Sequence, residues 1–128
     1  MLNGDDPNQM ARDLHYLGYL STAEAQLIRS LRSDAERLSQ IEGLRIYGNA
    51  PDKGPIVAFD IAGAHAHDIA TIIDRAGVAV RAGTHCAMPL LARFGVTSTC
   101  RASFAMYNTH EEIDRLAESL VKAKQFFA

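Results

Sequence analysis

Val80 to Leu90 gathers an arginine, a glycine, a histidine and a cysteine into one short run, Val-Arg-Ala-Gly-Thr-His-Cys-Ala-Met-Pro-Leu. An ordinary thiol titrates at about 8.5 and is only a few per cent thiolate at neutral pH, so a nucleophilic Cys86 needs positive charge or an imidazole beside it. Arg81 and His85 are the candidates, and a helix opening near Pro89 would point its N-terminus at the same loop. Composition alone also fits the bland reading, in which Cys86 is a small buried hydrophobe and His85 its incidental neighbour. Cys100 is the second thiol, and no C-x-x-C pair is present. Next to Cys100, Arg101 falls on an alternating segment among small and polar residues, as suits a guanidinium that grips a planar carboxylate; a surface ion pair fits equally well. His65-Ala66-His67 offers half a metal site, but nothing in the spacing supports zinc, and helix capping is the preferred reading. Gly54, Gly63 and Gly83 lack the spacing of a phosphate loop.

The elements that must hold these residues can be read in order. Residues 1–20 give no clear signal: Asp5-Asp6-Pro7-Asn8 is turn-like, and Leu14, Leu17 and Leu20 form a short helical face broken by Gly18. Ser21-Thr22-Ala23-Glu24 is a capping box, and Leu27, Ile28, Leu31, Ala35, Leu38 and Ile41 follow at helical spacing up to Gly43. Leu44 to Tyr47 and Pro55 to Ile61 predict a hairpin across a Gly/Asn/Pro loop. Ile69, Ile72, Ile73 and Ala76 share a helical face closed by Gly77, and Val78 to Val80 predicts the next strand. This strand, helix, strand order makes a right-handed crossover if the strands are parallel, and it places the thiol loop at a strand end, where α/β architectures put chemistry. Pro89 to Phe94 predicts a short helix closed by Gly95. In Cys100 to Tyr107, Cys100, Ala102, Phe104 and Met106 face one way and Arg101, Ser103, Ala105 and Tyr107 the other. Thr109 to Glu112 is a second capping box, before a helix with the stripe Ile113, Leu116, Ala117, Leu120, Val121 and Phe127.

Composition sets bounds on function. The chain has 128 residues, 48% hydrophobic and 22% charged, with a net charge of -2. That is one domain with a sizeable core and no electrostatic footprint for nucleic acid. The N-terminus carries acids where a signal peptide would be basic, and no segment is apolar for long enough to span a bilayer, so no membrane role and a cytoplasmic location are expected. In a reducing compartment the thiols are more suited to nucleophilic chemistry than to a disulfide.

Taken together, Val80-Arg81-Ala82-Gly83-Thr84-His85-Cys86-Ala87-Met88-Pro89-Leu90, Cys100-Arg101-Ala102-Ser103-Phe104 and Tyr107-Asn108-Thr109 resemble the C-terminal part of SufS-type (group II) cysteine desulfurases, pyridoxal-phosphate enzymes of the class V aminotransferase family. The resemblance covers Gly43 to the C-terminus, takes in the helix from Ser21 less specifically, and does not reach residues 1–20. It implies an α+β fold, a small mixed sheet covered by helices, over residues 21–128. By the same resemblance Cys86 is the nucleophile that takes sulfur from L-cysteine as a persulfide and leaves alanine, Arg101 binds the substrate carboxylate, and Arg81 and His85 shape the loop and manage the thiol's proton. The implied partners are a SufE-like sulfur acceptor and a second subunit, since the family is homodimeric, and the implied purpose is iron-sulfur cluster assembly.

Two departures stand out. Thr84 occupies a position where the group II motif usually carries another histidine. The family's cofactor lysine belongs to a large domain N-terminal to this region, and Lys53, Lys122 and Lys124 match no Schiff-base motif. The expectation is therefore a desulfurase small domain without its cofactor domain: no cofactor-binding residue, no metal ligand, and no pyridoxal phosphate held by this chain alone. A stand-alone sulfur carrier or interaction module is the alternative from a different class, and selenocysteine lyase is the alternative substrate reading. A domain of this kind is also expected to expose apolar surface and to self-associate.

Overall fold

The computed structural model describes residues 7–48, 50, 54–105 and 107–127; in the first helix the side chains at 24, 27, 28 and 30–35 fall outside that description. The elements are α1 (Pro7–Ser39), β1 (Leu44–Tyr47), β2 (Ile56–Ile61), α2 (Ala66–Asp74), β3 (Arg81–Gly83), α3 (Met88–Phe94), β4 (Thr99–Ser103) and α4 (His110–Gln125). The sheet order is β1-β2-β4-β3, and every hydrogen-bonded pair is antiparallel. The architecture is α+β as expected. No neighbouring pair is parallel, so the sheet is not mixed: β2 and β3, the strands of the anticipated crossover, run the same way with β4 between them, as do β1 and β4 with β2 between them.

Alternation along the strands divides the sheet into two faces. Val57, Phe59 and Ile61 of β2 and Cys100 and Ala102 of β4 point to one face, where Ala66, Ile69 and Ile73 of α2, Leu116, Leu120 and Ala123 of α4 and Leu38 of α1 cover them. Tyr47, Ala58, Arg101 and Arg81 are successive register partners across all four strands and share the opposite face. The core side therefore fixes the sheet, and the other side is left to carry polar chemistry.

Several local signals hold. Thr109 caps α4 through a capping box, its N–H donating to Glu112 Oε2 at 3.0 Å, and Asn108 Nδ2 donates to the same oxygen at 2.8 Å. Those bonds, the Asn108 one foremost, hold the Glu112 carboxyl below its usual range. Gly95 ends α3 in the left-handed region at φ 72°, with Pro89 in the first turn. His65 caps α2, its Nδ1 accepting from the His67 N–H at 3.3 Å.

Other readings change. The capping box at Ser21 does not start a helix, because α1 already runs from Pro7. The Thr22 hydroxyl instead donates to the Gly18 carbonyl at 2.9 Å, a back-bond of the helix interior. Gly18 is absorbed there, since a single interior glycine costs only about 1 kcal/mol. The apolar positions Leu27, Ile28, Leu31 and Ala35 lie outside the described side chains, as do Asn49, residues 51–53 and Met106 outside the described residues. Val78 to Val80 is not a strand; β3 begins at Arg81, and 78–80 instead border a cleft of about 160 Å³ that Phe104, Asn108 and Arg115 also line. β4 stops at Ser103, and the Phe104 N–H turns aside to donate to the Pro55 carbonyl at 2.9 Å. In α4, Val121 is exposed and Ser119 and Ala123 take the buried positions; Ala76 lies beyond the end of α2 and is exposed.

The first turns of α1 carry an uncovered apolar stripe, Met10, Leu14 and Leu17 at helical spacing, with Leu14 63% exposed. Tyr16 and Tyr19 are exposed beside it. Such a surface favours association, so the chain is expected to sediment as an oligomer at high concentration, and the double substitution Leu14→Glu, Leu17→Glu to release monomer. A clean monomer for the unsubstituted chain at high concentration would count against it. Among the described residues no helix is long and apolar enough to cross a membrane.

Candidate functional site

β3 is only three residues long, and Gly83 at its end takes φ 132°. The chain then makes the turn Thr84 to Ala87, closed by the Ala87 N–H donating to the Thr84 carbonyl at 2.9 Å. Both central residues have positive φ, His85 at 52° and Cys86 at 57°. This is the pattern of a type I′ turn, which ordinarily takes Asn or Gly. In L-residues the left-handed region costs roughly 1–2 kcal/mol each, so the reactive side chains occupy the strained positions of the turn. Strain of this kind collects where a fold holds chemistry in place. Cys86 is a free, exposed thiol at the turn's apex.

His85 is half-buried beneath it, with Nε2 3.0 Å from the backbone carbonyl of Thr99. A carbonyl only accepts, so Nε2 carries a proton, and in the neutral ring Nδ1 is then the nitrogen with the lone pair. That Nδ1 is buried and has no partner.

From Ala87 the chain enters α3, which is pinned by buried Leu91 and by Phe94, whose ring lies 5.1 Å from that of Tyr47. Tyr47 donates its hydroxyl to Asp60, and Arg45 lies 4.9 Å over its ring. Burial first, and the Asp60 carboxylate second, push the Tyr47 hydroxyl up to about 12. This cluster ties the far side of the thiol turn to β1 and β2.

Arg81 and Arg101 face each other directly across the β3–β4 pair, and with Ala79, Val80 and Ser103 they line an open depression. Like charges opposite one another on a sheet repel. Neither guanidinium has an ion-pair partner among the described residues, and the Arg101 Nε is buried and unpartnered. An anion in the depression would relieve the repulsion and supply the missing acceptor, and a carboxylate matches the fork geometry of arginine. The surface ion pair weighed for Arg101 is thus not present among the described residues.

Cys100 is placed differently. It is fully buried in the core, and its Sγ donates to the Ala66 carbonyl at 3.2 Å. Burial, reinforced by the charge of Asp60, pushes its thiol up to about 12, which leaves it protonated and inert.

His65 and His67 stack with their ring centroids 5.5 Å apart, and Ser98 Oγ lies 3.5 Å from His65 Nε2. Among the described residues no group of three or more His, Cys, Asp or Glu side chains could hold a metal ion. A pyridoxal Schiff base needs a lysine amine. Lys122 and Lys124 lie on α4, Lys124 is bound to Glu42 at 2.9 Å, and no lysine lines the depression. Lys53 lies outside the described residues. The described residues thus offer a thiol and an anion anchor and do not fit the attachment site of that cofactor.

Comparison with known proteins agrees with the fold. The aminotransferase class-V family model matches residues 10–116. A probable cysteine desulfurase of Xylella fastidiosa is 52% identical over 106 residues, 83% of this chain and 25% of that protein. One of Staphylococcus epidermidis is 44% identical over 122 residues, 93% of this chain and 30% of that protein. Among solved structures, the cysteine desulfurase CsdA of Escherichia coli, in an S-sulfonic acid form, superposes with a TM-score of 0.75 at 34% identity, covering 98% of this chain and 28% of that one. The chain thus spans about a quarter of the length of the curated relatives it matches.

Proposed function

Because the chain belongs to the class-V aminotransferase family, we propose that it is the sulfur-accepting part of a cysteine desulfurase of the SufS type, working in the cytoplasm for iron-sulfur cluster assembly. The observation that carries this reading is the contrast between the two thiols. Cys86 is exposed at the apex of a strained turn that follows β3, the strand carrying one of the two facing arginines, and Cys100 is sealed in the core. In this reading Cys86 takes sulfur and holds it as a persulfide, His85 supports the loop, Arg101 binds the carboxylate of L-cysteine, and Arg81 assists it. Residues 21–128 form the working domain, and the family match beginning at residue 10 draws part of α1 into it.

Full-length family members use pyridoxal phosphate to weaken the carbon-sulfur bond, and that chemistry must come from outside the residues described here. What this chain's residues do is hold the carboxylate at the arginine pair and present a sulfur acceptor. A small SufE-like acceptor and a second subunit are the proposed partners, as the exposure of Cys86 allows.

The test is mass spectrometry after mixing the chain with a persulfide donor. Cys86 thiolate attacks the outer sulfur of the donor, the donor's sulfur-sulfur bond breaks, and the donor leaves as a thiolate. One sulfur atom is expected on Cys86 and none on Cys100, with Cys86→Ala abolishing the adduct. An adduct on Cys100 alone, or none at all, would overturn the assignment. With added pyridoxal phosphate the chain is expected to release no alanine from cysteine; release that disappears in Cys86→Ala would show that this chain forms the whole catalytic site. The absence of a lysine from the depression favours the sulfur-carrier module as the second reading, and sulfur uptake without alanine release is compatible with it.

A further inference from the structure

We propose that His85 is a positioning residue that acts as a clasp, its Nε2–H bound to the Thr99 carbonyl so that the left-handed turn bearing Cys86 stays closed. The proposal deepens the role of the site just described and rests on that reading only for its purpose; the clasp itself is a matter of geometry.

Thr99 is buried, and its register partner Gly83 is the last residue of β3. The ladder ends there, because the chain must leave the sheet plane to make two consecutive residues with positive φ. A carbonyl oxygen has two lone pairs, so the Thr99 carbonyl can take a side-chain donor besides its ladder partner. The imidazole of His85, two residues past the end of the strand, lies 3.0 Å from it. A side chain is thus added to the last rung of the sheet, and it fastens the first strained residue of the turn to a rigid strand. Cys86, the second strained residue, is exposed and makes no such anchor of its own. Among the described residues the one backbone bond closing the turn is Ala87 to Thr84, so without the clasp the turn is free to relax toward the ordinary right-handed region.

The arrangement also fixes the tautomer. With the proton on Nε2, the buried and unpartnered Nδ1 remains a bare acceptor. The clasp thus depends on the Nε2 position and not on proton transfer at Nδ1, and this separates it from a general base. A glutamine places an amide N–H near the imidazole Nε2 position, whereas an asparagine places it near Nδ1.

Two measurements on the full chain decide it. The imidazole nitrogen chemical shifts of His85, followed through a pH titration to the plateau of the neutral ring, are expected to show the Nε2–H tautomer; an Nδ1–H tautomer, or averaging between the two, would overturn the proposal without any variant being made. Amide hydrogen exchange at Ala87 is expected to rise about five- to tenfold in His85→Ala and His85→Asn, the factor that one typical hydrogen bond converts to. His85→Gln is expected to stay within about twofold of the unsubstituted chain, and sulfur uptake by Cys86 to follow the same order. Glutamine behaving like alanine, or alanine like histidine, would refute the clasp. Failure of the unsubstituted chain to take up sulfur would count against the proposed function and leave the tautomer and exchange results to judge the clasp separately.

Discussion

In the folded chain at neutral pH, a cysteine-directed alkylating reagent modifies Cys86 and leaves Cys100 unmodified. The two thiols have the same chemistry in the unfolded chain, and the fold separates them by access and by ionisation. Cys86 is exposed, whereas Cys100 is 0% exposed and donates to the Ala66 carbonyl. With its thiol pushed up to about 12, the thiolate fraction of Cys100 at pH 7 is on the order of one in a hundred thousand. Unfolding in denaturant is expected to make both sites react at similar rates, and equal labelling of the native chain would be the contrary result. The same burial makes a contribution to stability that depends on alkaline pH. The unfolded chain releases the Cys100 proton near its ordinary value of 9.0, and the native chain keeps it until about 12. Between those values the native state binds more protons, so stability falls as pH rises. The contribution is whole below pH 9 and is lost through the native value. Tyr47 adds to the loss from 10.0 to about 12. Denaturation midpoints measured across this window are expected to fall steadily, with a shallower fall in Cys100→Val; a flat profile would show that neither group is held as described.

Phe59→Ala is expected to cost about 3–5 kcal/mol, the largest loss of any single truncation considered for this chain. Phe59 is 0% exposed in the middle of β2, with Ile46 of β1 and Cys100 of β4 as its register partners, and it belongs to the cluster that α2 and α4 cover. Domains of this size hold about 5–15 kcal/mol in total, so the variant is expected to lie near its folding limit. Val121→Ala, at a position 44% exposed, is the control and is expected to stay within about 0.5 kcal/mol. Urea denaturation measures both. A loss below about 1 kcal/mol at Phe59 would mean that the core is centred elsewhere.

What could be read before the structure was local in origin. The caps at Thr109 and Gly95 need only a few neighbouring residues, and Arg101 opposite in direction to Cys100 follows from the pleat. The thiol loop was recognisable because it is continuous in sequence. Non-local facts were hidden. The start of β3 depends on where β4 offers a partner, and the pairing of Arg81 with Arg101 is a matter of register that neither segment states alone. The neighbours of Cys86 singled it out in the sequence, but that Cys100 is sealed in the core is a fact of packing that its own segment does not state. Thr99 was missed because its contribution is a backbone carbonyl, which every residue possesses. The continuity of α1 through Ser21 was obscured by a cap signal that is equally at home inside a helix, where a threonine can bond back to the preceding turn.

The strand order also bears on synthesis. β1 and β2 are neighbours in sequence and in space, so they can pair as soon as both have been made. β3 is bonded only to β4, which comes after it in the chain. As the chain grows from its N-terminus, the turn carrying Cys86 is therefore complete before any strand exists to hold it, and the Thr99 carbonyl that secures His85 arrives later still. The thiol passes through a period of full exposure on an unanchored segment, and a chain halted before β4 would carry a reactive cysteine with no site around it.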